Sequence, residues 1–266
     1  MNKLATTSRR AIYLLSGQID KMVDQSPHML VLCYHSIADD NWLYSINKKM
    51  FIDQLDFLAE KYTFISLSDV EKVLDGTMVI HRPSVAITFD DGYKDITQVV
   101  DVVAKHNIHP TVFTLSDSQN VQRHELDTNR ELLSTAEIIG LRKTGWNIGS
   151  HGATHSDFGI LDSHGISREV ASSKIKLERD LGFSIDYFAF PKGVYNNQIL
   201  EEVKKSGYKL GLSMDPGYLA PSGDRFKLPR IGVDRTHSLT EFKSMLGKTS
   251  ILVRKTIINS PLVKFV

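Results

Sequence analysis

Short apolar runs alternate with segments of helical periodicity along most of this chain. Met29-Leu30-Val31-Leu32-Cys33-Tyr34 is apolar throughout, as a strand buried on both faces must be, and it ends on His35. Ser84-Val85-Ala86-Ile87-Thr88-Phe89 has the same character and runs into Asp90-Asp91-Gly92. Between these runs, Met50, Phe51, Leu55, Phe57 and Leu58 mark a helix up to residue 60. Residues 62–67 read as a strand. Ser68 with Glu71 three positions on reads as a capping box that opens a helix to residue 74, stopped by Gly76.

The alternation continues downstream. Ile96, Val99, Val100 and Val103 predict a helix, and residues 110–115 a strand. Residues 116–133 form a long polar loop. Ser134 and Glu137 make a second capping box for a helix to residue 143. Strands follow at 146–150, 187–190, 209–214 and 228–233. Helices follow at 167–181, stopped by Gly182, and at 198–206 and 239–246. Such repetition predicts an α/β fold on a parallel sheet, open or closed into a barrel. Ile12, Leu15, Ile19, Met22 and Val23 predict a further helix over residues 8–24, docked on the core. The division expected is an N-terminal helical extension (1–28), a catalytic domain (29–246) and a C-terminal tail (247–266).

Composition narrows the function classes. The net charge is +1 with 24% charged residues, so nothing draws the chain toward nucleic acid. A single cysteine, Cys33, excludes an intrachain disulfide and a Cys-rich metal site. The apolar run after Arg9-Arg10 is too short for a signal peptide, and no stretch has the length of a membrane span. A cytoplasmic protein is expected. Lys248, Arg254, Lys255 and Lys264 in the tail read first as a solvated or packed segment, with peripheral contact with the inner membrane face as the alternative.

The chemistry concentrates at two strand ends. Adjacent carboxylates at the mouth of a buried strand repel unless their roles differ, for instance one ligating a metal and the other free as a base. His151 and His155, four residues apart at another strand end, can meet at one point if the loop turns. Two imidazoles with one carboxylate leave coordination positions open, as a catalytic metal needs. An Asp-Asp-Gly turn and a surface histidine pair are the bland alternatives.

Thr88-Phe89-Asp90-Asp91-Gly92 and His151-Gly152-Ala153-Thr154-His155 resemble the first two motifs of the polysaccharide deacetylases, the NodB-homology group of carbohydrate esterase family 4. Phe188-Ala189-Phe190-Pro191-Lys192-Gly193 is similar to the third motif, and the Tyr34-His35 strand to the opening of one branch of the family. The resemblance covers roughly residues 29–246. It implies a distorted (β/α) barrel of about seven strands and removal of N-acetyl groups from N-acetylhexosamine units. It also implies one divalent metal ion, zinc above others, held by Asp91, His151 and His155, with Asp90 as general base. Pro191, Lys192 and Gly193 would border the acetyl pocket and supply a backbone N–H to the oxyanion. Tyr195 and Arg230 join them as substrate-binding residues.

Two departures stand out. Ala189 occupies the place of the third-motif arginine that orients the base, leaving Lys192 or Arg230 to replace it. The late Leu-x-His motif is absent, so His35 is assigned as general acid, with His237 as the alternative. Trp42, Tyr44 and Tyr195 are candidates for stacking on sugar rings. The expected substrate is an acetylated glycan or a lipid-linked sugar. An O-acetyl esterase of the same fold, and a glycan-binding relic without activity, are the rival readings.

Overall fold

The computed structural model describes residues 11–17, 20 and 27–258. Its centre is an eight-stranded, wholly parallel sheet. In chain order the strands are β1 (Met29–Tyr34), β4 (Thr63–Phe64), β5 (Ser84–Phe89), β6 (Thr111–Thr114), β7 (Asn147–Ser150), β8 (Tyr187–Ala189), β9 (Leu210–Leu212) and β10 (Ile231–Gly232). Two more short strands, β2 (Ser36–Ile37) and β3 (Ser45–Ile46), pair in a separate ribbon. The sheet runs β10-β1-β5-β6-β7-β8-β9, with β4 also on β5. Residues 225–228 lie along β9 through Gly211 N to Arg225 O and Leu228 N to Gly211 O, both 2.8 Å. The chain then passes into β10 beside β1, so the sheet curls most of the way to a barrel.

Side chains alternate across a strand, and here parity sorts two cores. Leu30, Leu32, Val85, Ile87, Val112 and Phe188 face outward with the helices. Met29, Val31, Ala86, Phe113, Tyr187, Ala189, Leu210 and Leu212 form the inner core. Helix Leu67–Leu74 adds Leu67, Val70 and Val73 to that inner core. Gly149 belongs to the inner row of β7: a Cβ there would sit 2.4 Å from the Phe113 ring. Following each inner row past the end of its strand leads to His35, Asp90, His151 and Pro191. The alternation that builds the barrel interior therefore also delivers these four residues to its mouth.

Several boundaries differ from the sequence expectation. The helix expected to be capped by Ser68 starts earlier: Ser66 is its N-cap, accepting from Asp69 N at 3.1 Å, while Asp69 accepts from Ser66 N at 3.0 Å. Glu71 instead accepts from the Tyr187 hydroxyl. The strand expected at 62–67 shrinks to two residues, because the capped turn takes its second half. The polar loop 116–133 contains the short helix Arg123–Leu126. The helix expected at 167–181 begins at Ser163 and passes through a π-helical turn at Arg168–Ser172 before Ser173–Leu181. Residues 11–17 are helical as expected, whereas 18–19 and 21–24 lie outside the described residues. The C-terminal tail is helical over Lys248–Ile258. Among the described residues no helix is long and apolar enough to cross a membrane.

Candidate metal centre and its clamped carboxylate

Adjacent strand residues normally point to opposite faces, so Asp90 and Asp91 could not both face the mouth in extended backbone. Asp91 solves this by adopting φ +68°, followed by Gly92 at +71°. Aspartate is among the few non-glycine residues that tolerate this region. His155 (φ +60°) and Gly152 (φ +86°) turn the second loop back on itself in the same way. As a result Asp91 Oδ1 lies 3.3 Å from Nε2 of both His151 and His155. All three residues are buried.

The donor chemistry of this trio fits a cation. His151 Nδ1 is 2.8 Å from the Ala189 carbonyl oxygen, so Nδ1 carries the proton and Nε2 offers a lone pair. That lone pair faces a buried carboxylate oxygen that no hydrogen bond among the described residues satisfies. Ligands about 2.0–2.2 Å from a tetrahedral ion lie roughly 3.3–3.6 Å from one another, and each imidazole donor stands at that spacing from Asp91 Oδ1. The resemblance placed a metal on these residues, and the structure brings their ligand atoms together.

Asp90 is held separately. Arg230 donates from Nη1 to Asp90 Oδ1 and from Nη2 to Oδ2, each at 2.7 Å. The guanidinium is itself fixed by Ser213 O at 3.0 Å and Thr88 Oγ1 at 3.3 Å, and it lies over the Phe113 ring. Arg230 therefore takes the place that Ala189 leaves empty, reaching the base from the strand on the other side of the site. Its expected role as a substrate contact is corrected, since it is fully buried and presents no surface to a ligand. Burial alone would raise the Asp90 carboxyl, but the Arg230 guanidinium and His151 outweigh it and hold it at about 2. For Asp91, burial is likewise overridden by His151 and His155, and the carboxyl stays well below its usual range. One guanidinium thus balances two ionised carboxylates, leaving one negative charge for a cation.

Cys33, the inner-row residue before His35, donates its thiol to Asp90 Oδ2 at 3.3 Å. Burial pushes that thiol well up, so it stays protonated. Cys33, His35 and Asp90 also have ligand atoms close together, but Asp90 Oδ2 already accepts from both Arg230 and Cys33, which leaves Oδ1 with a lone pair to spare. His35 is half-buried, with its ring 4.8 Å from that of Tyr44 and a buried Nδ1 that has no hydrogen-bond partner among the described residues. Burial lowers its proton affinity, with Asp91 and Asp90 opposing. His237 lies outside both clusters, pairing with Asp234 at 3.3 Å and packing beside Tyr13.

The Pro191–Gly193 turn sits where expected, but its side chains do not all serve a substrate. Lys192 adopts φ +57° and sends Nζ to Glu125 Oε2 at 2.6 Å, away from Asp90. It does not replace the missing arginine. Pro191 has no N–H, and Gly193 and Val194 donate within the turn to Phe190 O and Pro191 O. The Lys192 N–H is the one left over. Tyr195 bonds through its hydroxyl to Asp215 and packs on Phe190. Trp42 is half-buried against Tyr44 and Tyr93 under the Arg130 guanidinium, whereas the Tyr44 ring is exposed beside His35.

Glu169 was not foreseen. The π-helical turn directs its fully buried carboxylate into the second motif. There it accepts from Ala153 N (2.8 Å), Thr154 N (2.9 Å) and Thr154 Oγ1 (2.7 Å), the residues between the two histidines. A Cβ on Gly152 would meet Glu169 Oε2 at 2.8 Å, which accounts for the glycine. Glu169→Ala leaves the Ala153 and Thr154 N–H donors and the Thr154 hydroxyl without their acceptor. It is expected to weaken metal binding by about 10–100-fold, read by zinc titration of the full chain. Unchanged affinity would show that the loop holds its shape without this anchor.

The model of the family described as polysaccharide deacetylase matches residues 79–211, half of the chain, including both aspartates and both histidines. The chain belongs to the polysaccharide deacetylase family. This deacetylase is 26% identical over 232 residues to poly-beta-1,6-N-acetyl-D-glucosamine N-deacetylase of Staphylococcus aureus, covering 76% of this chain and 77% of that one. Its fold is similar to that of IcaB from Ammonifex degensii (TM-score 0.72, 22% identity, 83% of this chain and 97% of that one). It is also similar to the Streptococcus pyogenes deacetylase PplD in complex with acetate (TM-score 0.70, 22% identity, 81% and 96%). Both likenesses support the barrel expected for the family. His35 and Arg230 lie outside the matched stretch.

Proposed function

We propose that this deacetylase hydrolyses N-acetyl groups on N-acetylhexosamine units of a glycan. The observation that carries this reading is the convergence of Asp91, His151 and His155 on one point, beside a second carboxylate clamped by Arg230. The trio would hold one divalent ion, with zinc well suited to a ligand set of two nitrogens and one oxygen. When bound, that ion supplies an acidified water and a polarised acetyl carbonyl.

The chain's own residues do the rest. Asp90 takes the proton from the attacking water on an oxygen that Arg230 has already aimed. Arg230 keeps this carboxylate ionised before attack and stabilises its orientation. The Lys192 N–H donates to the acetyl oxygen as it gains charge, a contact of the kind worth about 3–4 kcal/mol. His35 is the imidazole of the site that is not needed as a ligand. It delivers a proton to the departing amine, and its lowered proton affinity makes it a ready donor once charged. The Staphylococcus aureus relative makes β-1,6-linked N-acetylglucosamine oligomers the first substrate to test.

Acetate release from such oligomers should be abolished by a chelator and restored by added zinc. Asp91→Ala should remove one of the three ligands and drop bound zinc well below one per chain. Chelator-resistant acetate release, or full zinc occupancy in Asp91→Ala, would overturn the assignment.

A further inference from the structure

A groove lies behind the loop that joins the two histidines. It is lined by Ala153, Thr154, Ser156, Gln122, Ser172 and Arg168, among others, and encloses about 460 Å³. That volume is in the range of small-ligand sites, about 300–1,000 Å³. A second depression of about 430 Å³ continues it toward Ser134, sharing Ser116, Asp117 and Lys176. None of the residues assigned above to metal binding or proton transfer lines either space.

The lining is neither a charge trap nor an apolar slot. Lys176 is paired with Asp180 at 2.9 Å, and the Asp117 carboxylate accepts from Asn120 at 3.1 Å. No excess of positive charge remains to hold a free anion. The side chains of Ser116, Gln122 and Ser172 make no hydrogen bond among the described residues. Among the described residues Arg168 pairs with Glu169 at 3.7 Å, beyond hydrogen-bond range, and makes no hydrogen bond through its guanidinium. Hydroxyls, an amide and a guanidinium with spare bonding capacity match a ligand dense in hydroxyl and amide groups. Ala153 and Thr154 belong to the loop between the two histidines, so the groove borders the loop that carries the metal-binding imidazoles.

We propose that this groove binds a sugar unit of the glycan remote from the one being deacetylated. This inference rests on the glycan reading above and extends it to a polymeric substrate engaged at two places. The metal-loaded full chain carrying Asp90→Asn is titrated with a β-1,6-linked N-acetylglucosamine hexasaccharide, alone and with the groove filled by Ser172→Trp. Ser172 is exposed and lies apart from the reacting groups. The tryptophan should weaken hexasaccharide binding at least about tenfold. In the otherwise native chain it should raise KM for the hexasaccharide and leave kcat/KM for a disaccharide unchanged. Gln122→Trp fills the same groove from a different element and should do likewise, which covers misfolding of either variant. If both variants bind and turn over the hexasaccharide as the parent does, the groove proposal falls while the deacetylase reading stands. If the hexasaccharide binds through the groove but no glycan releases acetate, the deacetylase reading falls and the groove stands. Inorganic phosphate occupying the groove in place of the hexasaccharide would make it an anion site and overturn the proposal.

Discussion

Asp90→Asn is expected to lower kcat for acetate release by about 10²–10⁴-fold while the protein still takes up one zinc ion at saturation. The substitution keeps the shape of the side chain and an oxygen for Arg230, but removes the basic site. Asp91, His151 and His155 are untouched, and their donors meet without help from Asp90. Two measurements decide the matter together: metal content of the purified variant and initial rates of acetate release. Turnover close to that of the parent would remove Asp90 from the reaction. Loss of zinc at saturation would instead make Asp90 part of the binding site, against the separation of roles argued from the Arg230 clamp.

That clamp marks the limit of what the sequence shows. Asp90-Asp91 and His151/His155 are legible because each pair is local and stands at the end of an apolar run. The first apolar run likewise ends on His35, and in the structure the inner-row parity carries both His35 and Pro191 to the mouth. Arg230 is different: the sequence offers it only beside Lys192 as a replacement for the arginine that Ala189 lacks, and because its partner is 140 residues away only the fold decides between the two. Glu169 is hidden for a related reason. It is one glutamate in a helical stretch rich in charge, and only the π-helical turn reveals which way it points. The Ser68 cap failed because Ser66-x-x-Asp69 and Ser68-x-x-Glu71 satisfy the same rule two residues apart. Tertiary contact decided between them, since Glu71 is engaged by Tyr187 and Lys209.

Arg230→Met carries the largest expected effect on stability. The side chain is fully buried and makes four hydrogen bonds that the methionine cannot. Removing one partner of a buried ion pair costs about 3–5 kcal/mol, because the other charge is left uncompensated in a dry site. Asp90 would then recover from that loss by taking up a proton, since the chief influence holding it at about 2 is gone. A protonated Asp90 is no base, so kcat should fall along with the denaturation midpoint. Arg230→Lys separates the two consequences. It keeps a positive charge but not the paired fork, so it should retain more stability than methionine while still misaiming the carboxylate. The decisive comparison is a double-mutant cycle with Asp90→Asn, followed by urea denaturation. If the pair is coupled as the geometry indicates, Arg230→Met costs much less in the Asp90→Asn background than in the native one. Additive losses would mean that Arg230 stabilises the barrel through Ser213 and Thr88 alone, and that the base is oriented by something else.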